Sequence, residues 1–289
     1  MALLVLGAIF LFFLLLVFAV SRLDGVSGQL AGGGKVGVIE IRGVIASSQK
    51  TIKRLIAFRD DASIKAIVLR VDSPGGGVGP SQEINEEVKK TVAVKPVVVS
   101  MGSVAASGGY YISAPANRII ANPGTITGSI GVIMEFTNLQ DLFQKIGLKS
   151  VVVKSGKLKD IGSPMRPMTD EDRAILQSLL DDVHQQFIQS VAAGRHLSVA
   201  KVKDLADGRI FSGQQAQKLG LVDQLGDLQD AVAAAAKLAG IQGKPRVVYP
   251  PKEKSNFLGY LLNESISQLR KGVQERIPSG LKLLWSGVD

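Results

Sequence analysis

Short runs of β-branched residues alternate along this sequence with segments of helical periodicity. Apolar residues recur at helical spacing in Pro80–Val92 and Asp170–Val191. Four stretches are typical of strands: Val36–Ile41, Ala66–Val71, Pro96–Ser100 and Val151–Val153. Strands that alternate with helices predict an α/β layer fold with mostly parallel pairing. Functional sites are then expected at strand ends, where Gly-rich turns lead into helices.

The composition narrows the chemistry that the chain can perform. With 289 residues and 46% hydrophobic side chains, the chain can bury a substantial core. It has no cysteine and only two histidines, His184 and His196, which excludes thiolate sites and nearly excludes a poly-histidine metal site. A net charge of +9 with only 5% aromatic residues does not favour nucleic acid binding. We predict neither a metal ion nor a cofactor.

The N-terminal stretch Ala2–Val20 contains no charged residue. As a helix rising about 1.5 Å per residue it would span roughly 28 Å, close to the hydrocarbon thickness of a bilayer. The alternative is a cleaved signal peptide, with Ala19-Val20-Ser21 as an acceptable cleavage site. The apolar run is longer than a signal peptide usually has and no Lys or Arg precedes it, so the sequence favours a retained anchor.

Four regions follow from these patterns. We predict a transmembrane anchor in residues 1–20, a Gly- and Ser-rich flexible linker in 21–35, a catalytic domain in 36–245 and a C-terminal extension in 246–289. The extension carries one apolar stripe at helical spacing, which consists of Leu262, Ile266, Leu269, Val273 and Ile277. Packing against the domain or against a second subunit explains this stripe better than a membrane-surface helix does.

The segment Val97–Gly109 runs from an apolar strand through small residues into a predicted helix. A serine at the start of a helix, here Ser107, lies near unpaired N–H groups, and small neighbours let a substrate backbone approach. Taken alone, this segment is better explained by tight packing or helix capping.

A second turn, Asp72–Gly77, places three glycines after a proline and a strand. Such a turn can hold backbone N–H groups in the arrangement that an oxyanion hole requires. It is not a phosphate-binding loop, because no Gly-Lys-Ser/Thr follows at the necessary distance.

Hydroxyl and amine side chains follow in two later stretches. Residues Asn122–Val132 carry Thr125, Thr127 and Ser129. Residues 154–164 carry three lysines, Lys154, Lys157 and Lys159, directly after the run Val151–Val153. A lysine acts as a general base only where desolvation favours its neutral form, so we expect at most one of the three to turn inward.

Five separated motifs resemble those of the signal peptide peptidase A family in its short, single-domain bacterial form. They are DSPGGG (72–77), SMGSVAASGGYYIS (100–113), NPGTITGSIGV (122–132), KSGKLKDIGSP (154–164) and DGRIFSGQQAQKLGLVDQLG (207–226). The resemblance runs from about Val36 to Gly240. It implies a fold of the ClpP/crotonase type and a serine peptidase with a Ser/Lys dyad.

The resemblance assigns a role to each key residue. It implies that Ser107 is the nucleophile, Lys159 the general base and Ser129 the residue that positions the lysine, while Gly76 contributes to the oxyanion hole. The N–H of Gly108, directly after the nucleophile, is the expected second oxyanion donor. Neither histidine is needed, and both are expected to be surface or packing residues.

These assignments predict a homo-oligomeric peptidase in the bacterial cytoplasmic membrane, with its catalytic domain on the extracytoplasmic side. The expected substrates are hydrophobic peptides, in particular remnant signal peptides. One alternative is a related membrane serine protease that acts on stomatin-type membrane partners. Two others are a crotonase-like acyl-CoA enzyme, which would need neither Ser107 nor Lys159, and a catalytically silent scaffold.

Overall fold

A computed structural model of the chain describes residues 34–251 and 282–284, together with Leu11. The strands are β1 Lys35–Arg42, β2 Ile64–Ser73, β3 Gly75–Gly77, β4 Val97–Ala106, β5 Arg118–Ala121, β6 Ile126–Gly128, β7 Ile210–Ser212, β8 Gln224–Leu225, β9 Arg246–Val248 and β10 Lys282–Leu284. The helices are α1 Gln49–Asp60, α2 Val78–Val92, α3 Gly108–Ser113, α4 Gln140–Lys145, α5 Asp170–Arg195, α6 Val199–Leu205, α7 Gly213–Leu219 and α8 Leu228–Leu238.

Within the described residues, eight strands form one sheet in the order β7-β6-β4-β2-β1-β9, to which β5 and β8 are joined beside β4. Every pair is parallel except β6 with β7. The first half of β4 pairs with β5 and its last residues pair with β6. At the carboxyl end of β4, Ala105 therefore lies between Ser73 of β2 and Thr127 of β6.

The core lies on both faces of the sheet because successive side chains of a strand point to opposite sides. On one face, Val36 and Val38 of β1 pack with Ala231 and Ala235 of α8. On the other face, a larger apolar cluster joins the strands to six helices, α1, α2, α3, α5, α6 and α7. Coverage of both faces is what a mostly parallel sheet requires, and it holds the strand ends in fixed positions.

The predicted α/β layering is confirmed, and so are the two predicted helices. The first begins two residues earlier, at Val78, and the second continues to Arg195. Three of the four predicted strand regions are strands. The prediction for Val151–Val153 is wrong: these residues form no strand, and the side chains of Val151 and Val153 are 86% and 96% exposed. A β-rich run becomes a strand only where a neighbouring strand is available, and the described residues place none beside it.

Several predictions concern residues outside the described part of the chain. They include the anchor Ala2–Val20, most of the linker and the apolar stripe from Leu262 to Ile277. Among the residues that the structure describes, no helix has both the length and the apolar character needed to cross a bilayer. Strand β9, in the region assigned to the C-terminal extension, pairs with β1 and so belongs to the sheet.

Candidate active site

Ser107 lies at the junction between β4 and α3. Its backbone has φ 52° and ψ −117°, a conformation that side-chain-bearing residues rarely adopt. Two hydrogen bonds hold it there: its N–H donates to Gly128 O at 2.8 Å, and its carbonyl accepts from Tyr111 N at 2.8 Å. The residue is 1% exposed, and its hydroxyl has no hydrogen-bond partner among the described residues. A sharp strand-to-helix turn of this kind is how a nucleophilic serine is presented in several hydrolases.

Gly76 and Gly108 are packed directly against each other. A Cβ atom on Gly108 would lie 3.2 Å from Gly76 N and 2.7 Å from Ser81 Oγ, so no larger residue fits without displacing its neighbours. Gly76 is confined on its other side as well, since a Cβ there would lie 2.2 Å from Ile45 O. These contacts hold Gly76, which follows the end of β2, and Gly108, which follows the end of β4, directly beside each other.

The orientation of Gly76 follows from its strand partners. Ile45 N donates to Gly75 O at 2.8 Å and Gly77 N donates to Ile45 O at 2.9 Å. Because backbone groups alternate along a strand, the N–H and C=O of Gly76 face the opposite edge. On that edge β3 pairs antiparallel with β10, with Leu283 opposite Gly76. The edge of β3 therefore already holds an extended segment of the chain.

Ser129 lies one residue after Gly128, the acceptor of the Ser107 N–H. It too has a positive φ of 49°, and its N–H donates to Arg209 O at 2.9 Å. A cleft of about 430 Å³ opens beside it, lined also by His184, Asp181 and Asp207. The structure thus brings Ser107, Ser129 and the glycine pair to the same strand ends.

The three lysines of the turn 154–164 differ in their partners. Lys154 pairs with Asp160 at 2.6 Å, and Lys157 pairs with Glu171. Lys159 makes no side-chain hydrogen bond or ion pair with any described residue, and it is exposed. We expected at most one of the three lysines to turn inward; in the single chain Lys159 does not, and its role as general base stays a prediction. Lys159 also makes no hydrogen bond to Ser107 or Ser129.

A network of ionic hydrogen bonds surrounds Asp160. Arg166 donates to both of its carboxylate oxygens, with Nε to Oδ2 and Nη2 to Oδ1 each at 3.0 Å. Arg166 also donates to Asp172, at 3.2 Å from Nη2 to Oδ1. These hydrogen bonds from Arg166, together with one from Lys154, hold the pKa of Asp160 well below its usual range. The pKa of Asp172 is lowered in the same way by Arg166 and by the backbone N–H of Thr169.

The profile of Peptidase family S49 matches residues 89–242 of this chain, more than half of its length. The chain belongs to peptidase family S49. A second profile, that of the Clp protease, matches residues 38–125, where the sheet and the Ser107 junction lie. The fold of this S49 peptidase is accordingly a ClpP-like α/β fold, and the chain is a serine peptidase.

Several relatives of this S49 peptidase carry protease names. A putative protease of Synechocystis sp. is 49% identical over 72% of this chain and 75% of its own length. A putative signal peptide peptidase SppA of Enterococcus faecium is 37% identical over 72% of this chain and 64% of its own length. Among solved structures, a point mutant of ClpP1 from Listeria monocytogenes matches with a TM-score of 0.47 and 17% identity over 67% of this chain and 93% of that one.

Neither histidine of the S49 peptidase forms a hydrogen bond with the Ser107 hydroxyl in the described part of the chain. His196 is exposed and ends α5 in a left-handed conformation. His184 is half-buried on α5, where its Nε2 is sealed from solvent without a hydrogen-bond partner. It lines the cleft beside Ser129, which is closer to the site than a surface role suggests.

Sequence reasoning missed Arg166 and Asp172 as members of this region. One local signal was available, since Thr169 and Asp172 have the spacing of a capping box that starts a helix. The structure confirms this cap: Asp172 N donates to Thr169 Oγ1 and Thr169 N donates to Asp172 Oδ2, both at 3.1 Å. Nothing in the spacing indicated that Arg166 would join this cap to Asp160.

Proposed function

We propose that this S49 peptidase is a membrane-anchored endopeptidase with a Ser/Lys dyad, in which Ser107 is the nucleophile and Lys159 the general base. The observation that carries the proposal is the juxtaposition at the strand ends. A serine with a strained backbone and no hydroxyl partner lies next to Gly108, whose Cβ position is 3.2 Å from Gly76 N.

Neutral Lys159 accepts the proton of Ser107 Oγ as the oxygen attacks a peptide carbonyl. The N–H groups of Gly76 and Gly108 stabilise the oxyanion, and the loss of one such donor typically costs about 3–4 kcal/mol of barrier stabilisation. The protonated lysine then gives its proton to the leaving amine. Water hydrolyses the acyl-enzyme with the same lysine as base.

The choice of Lys159 rests on its partners as well as on the family resemblance. Lys154 and Lys157 each have their amine engaged by a carboxylate. Lys159 has no such partner among the described residues. Its amine is therefore the one in this turn that no carboxylate holds.

Exclusion of water from Lys159 requires a covering surface, which we assign to a second copy of the chain. The segment that precedes Lys159 exposes many large apolar side chains: Ile133, Phe136, Leu142, Ile146, Leu148, Val151, Val152 and Val153. Contiguous exposed apolar surface of this kind is typical of protein interfaces. Burial of this segment in a homo-oligomer would desolvate Lys159 together with its apolar neighbours.

The edge of β3 indicates how a substrate binds. A peptide residue that pairs with Gly76 as Leu283 does would direct its carbonyl to the Gly76 N–H, where the scissile carbonyl must lie. The small residues around Ser107 let an extended substrate backbone approach closely. Hydrophobic peptides, in particular remnant signal peptides left in the membrane, are the substrates that an enzyme anchored by Ala2–Val20 and facing the outside would meet at high local concentration.

The alternative membrane protease that acts on stomatin-type partners would use the same dyad, and nothing in the site favours it. A crotonase-like enzyme has no use for an unpartnered serine at the β4–α3 junction. A silent scaffold would not need the strained backbone of Ser107.

Labelling with a fluorophosphonate probe tests the dyad. We expect one covalent adduct on Ser107 in the full chain and none in Ser107→Ala. An adduct that persists in Ser107→Ala would contradict the assignment.

Two further measurements test the location and the substrates: protease accessibility of the domain in intact spheroplasts, and hydrolysis rates on matched apolar and acidic peptides. A shielded domain, or equal rates on both peptide sets, would contradict those parts of the proposal.

A further inference from the structure

The turn that carries Lys159 is tied to α5 by ionic hydrogen bonds, and these ties do not involve the lysine itself. Asp160, the next residue after Lys159, is 13% exposed. Its backbone belongs to a series of tight turns in which Lys159 N donates to Gly156 O at 3.1 Å and Ser163 N donates to Asp160 O at 3.0 Å. The position of the Asp160 carboxylate therefore fixes the position of the neighbouring Lys159 backbone.

Arg166 connects this turn to the first turn of α5. Its guanidinium forms a bidentate pair with Asp160 and at the same time donates to both oxygens of Asp172. Asp172 is 2% exposed, and through the capping box with Thr169 it is part of the α5 N-terminus. Because a bidentate arginine fixes direction as well as distance, the connection is rigid in a way that a lysine could not reproduce.

The far end of this connection is anchored in the core. Helix α5 packs through Val183, Phe187, Ile188 and Val191 against the large apolar cluster of the sheet. Phe187 contacts the ring of Tyr111, in the helix that Ser107 begins, with ring centroids 4.8 Å apart. A continuous path of contacts thus runs from Lys159 through Asp160, Arg166 and α5 to the Ser107 helix.

We propose that Arg166 and Asp160 are positioning residues for Lys159, and that Arg166 also keeps the Asp160 carboxylate away from the lysine amine. The inference rests on the proposed role of Lys159 as general base. An unengaged carboxylate next to Lys159 would attract its ammonium and favour the charged form, which cannot act as a base. With Arg166 in place, the carboxylate is turned to the other side of the turn and Lys159 is left unpaired.

Two other charged groups of this turn are engaged by carboxylates. The turn itself carries Lys154, which donates to Asp160, and Lys157, which pairs with Glu171 at the start of α5. The remaining charges on the first turn of α5 are Asp170 and Arg173. Removal of Arg166 therefore removes most of the hydrogen bonds to the Asp160 carboxylate, because Lys154 supplies only one.

The test compares Arg166→Gln, Arg166→Lys and Asp160→Asn with the wild type in the full chain, with kcat and KM for an apolar fluorogenic peptide measured across pH. For Arg166→Gln we expect kcat to fall about a hundredfold, as for a catalytic group misplaced by about 1 Å, with KM changed little. The half-maximal point of its pH profile should move to higher pH. Asp160→Asn should lower kcat without that upward shift, because no carboxylate remains to hold the ammonium. Arg166→Lys should restore the pH profile more than it restores kcat.

Lys157→Gln is the matched control, because it removes an exposed ion pair that joins the same turn to the same helix. It should leave kcat within about twofold of the wild type, as expected for an exposed pair that contributes little. Circular dichroism and Tm show whether each variant folds, and Asp160→Asn, which keeps the shape of the side chain, serves if Arg166→Gln does not fold.

Lys159→Ala separates this inference from the proposed dyad. If Lys159→Ala is inactive while folded Arg166→Gln and Asp160→Asn keep the wild-type kcat and pH profile, the positioning role is overturned and the dyad stands. If Lys159→Ala remains active, the dyad falls and the positioning role falls with it.

Discussion

The backbone N–H of Ser107 donates to the carbonyl of Gly128 at 2.8 Å, and Gly128 is followed directly by Ser129. This hydrogen bond continues the pairing of β4 with β6 beyond their last residues, so the two serines cannot move independently. Ser129 is held in turn by Arg209, the residue before β7: the Ser129 N–H donates to the Arg209 carbonyl at 2.9 Å. The relative position of the two serines is therefore set by the sheet and not by their side chains.

Replacement of the three lysines of the turn one at a time should separate their roles. We expect Lys159→Ala to lose hydrolysis almost completely while it remains folded, because the proposed mechanism gives Ser107 no other base. Lys157→Ala should stay near the wild-type rate, and Lys154→Ala should show a smaller loss, through its hydrogen bond to Asp160. Rates on a peptide substrate, with circular dichroism as the check on folding, make the comparison. A folded His184→Ala/His196→Ala variant that loses activity would speak against the dyad.

Gly108→Ala should reduce kcat much more than it reduces stability. The added methyl group would lie 3.2 Å from Gly76 N and close to Ser81 Oγ, so it pushes the two N–H donors apart. A misplaced oxyanion donor typically lowers kcat by about 10²–10³. Gly79→Ala is the control, because a Cβ there has no atom within 4 Å. Equal kcat values for the two variants would show that the Gly76–Gly108 contact does not matter to the reaction.

The connection between Asp160, Arg166 and Asp172 should make stability depend on acid pH. Both carboxyl groups have a lowered pKa in the folded protein, mainly because of hydrogen bonds from Arg166. A lowered folded pKa stabilises the protein above the unfolded value of about 3.9, and this contribution disappears as the pH falls below it. The difference in free energy of unfolding between wild type and Arg166→Gln should therefore be largest near pH 7 and shrink towards pH 3. Urea titrations at several pH values measure it, and a constant difference would exclude the effect.

Termination of the chain after Pro251 should raise the rate on short peptides. This truncation removes β10, which pairs with β3 along the edge where the substrate is proposed to bind. We expect a lower KM with little change in kcat, because only competition for the edge is relieved. The control carries Leu283→Pro in the full chain, which removes the backbone N–H that pairing with Gly76 requires and so should act in the same direction. An unchanged KM in both variants would show that β10 does not compete with the substrate.

Features that depend on local interactions were predicted from the sequence, whereas features that depend on contacts between distant segments were not. The strand and helix pattern and the Gly-rich turns depend on local periodicity, and β1, β2, α2 and α5 were predicted from it. The network around Arg166 depends on how a loop folds back on the start of α5, which no local pattern encodes. The run Val151–Val153 was misjudged for a related reason, since its strand-like composition finds no neighbouring strand among the described residues.

The site itself could be assembled from sequence only through the family resemblance. Separate motifs carry Ser107, Gly76 and Ser129, and only the sheet order, with β4 between β2 and β6, brings them together. The exposure of Lys159 was not predicted. Whether that lysine becomes buried depends on the surface that covers the turn, and the sequence of one chain does not describe this surface.

Of the described residues other than glycine, only Ser107, Ser129 and His196 have a positive φ, and the first two lie in the proposed active site. Such a backbone costs about 1–3 kcal/mol for each residue that bears a side chain. Glycine would adopt the same conformation without that cost, so Ser107→Gly should yield a protein that is both inert and harder to unfold. The backbone geometry of the proposed nucleophile thus makes the wild-type enzyme less stable than its own inactive variant, which is therefore well suited to capturing intact substrates for identification.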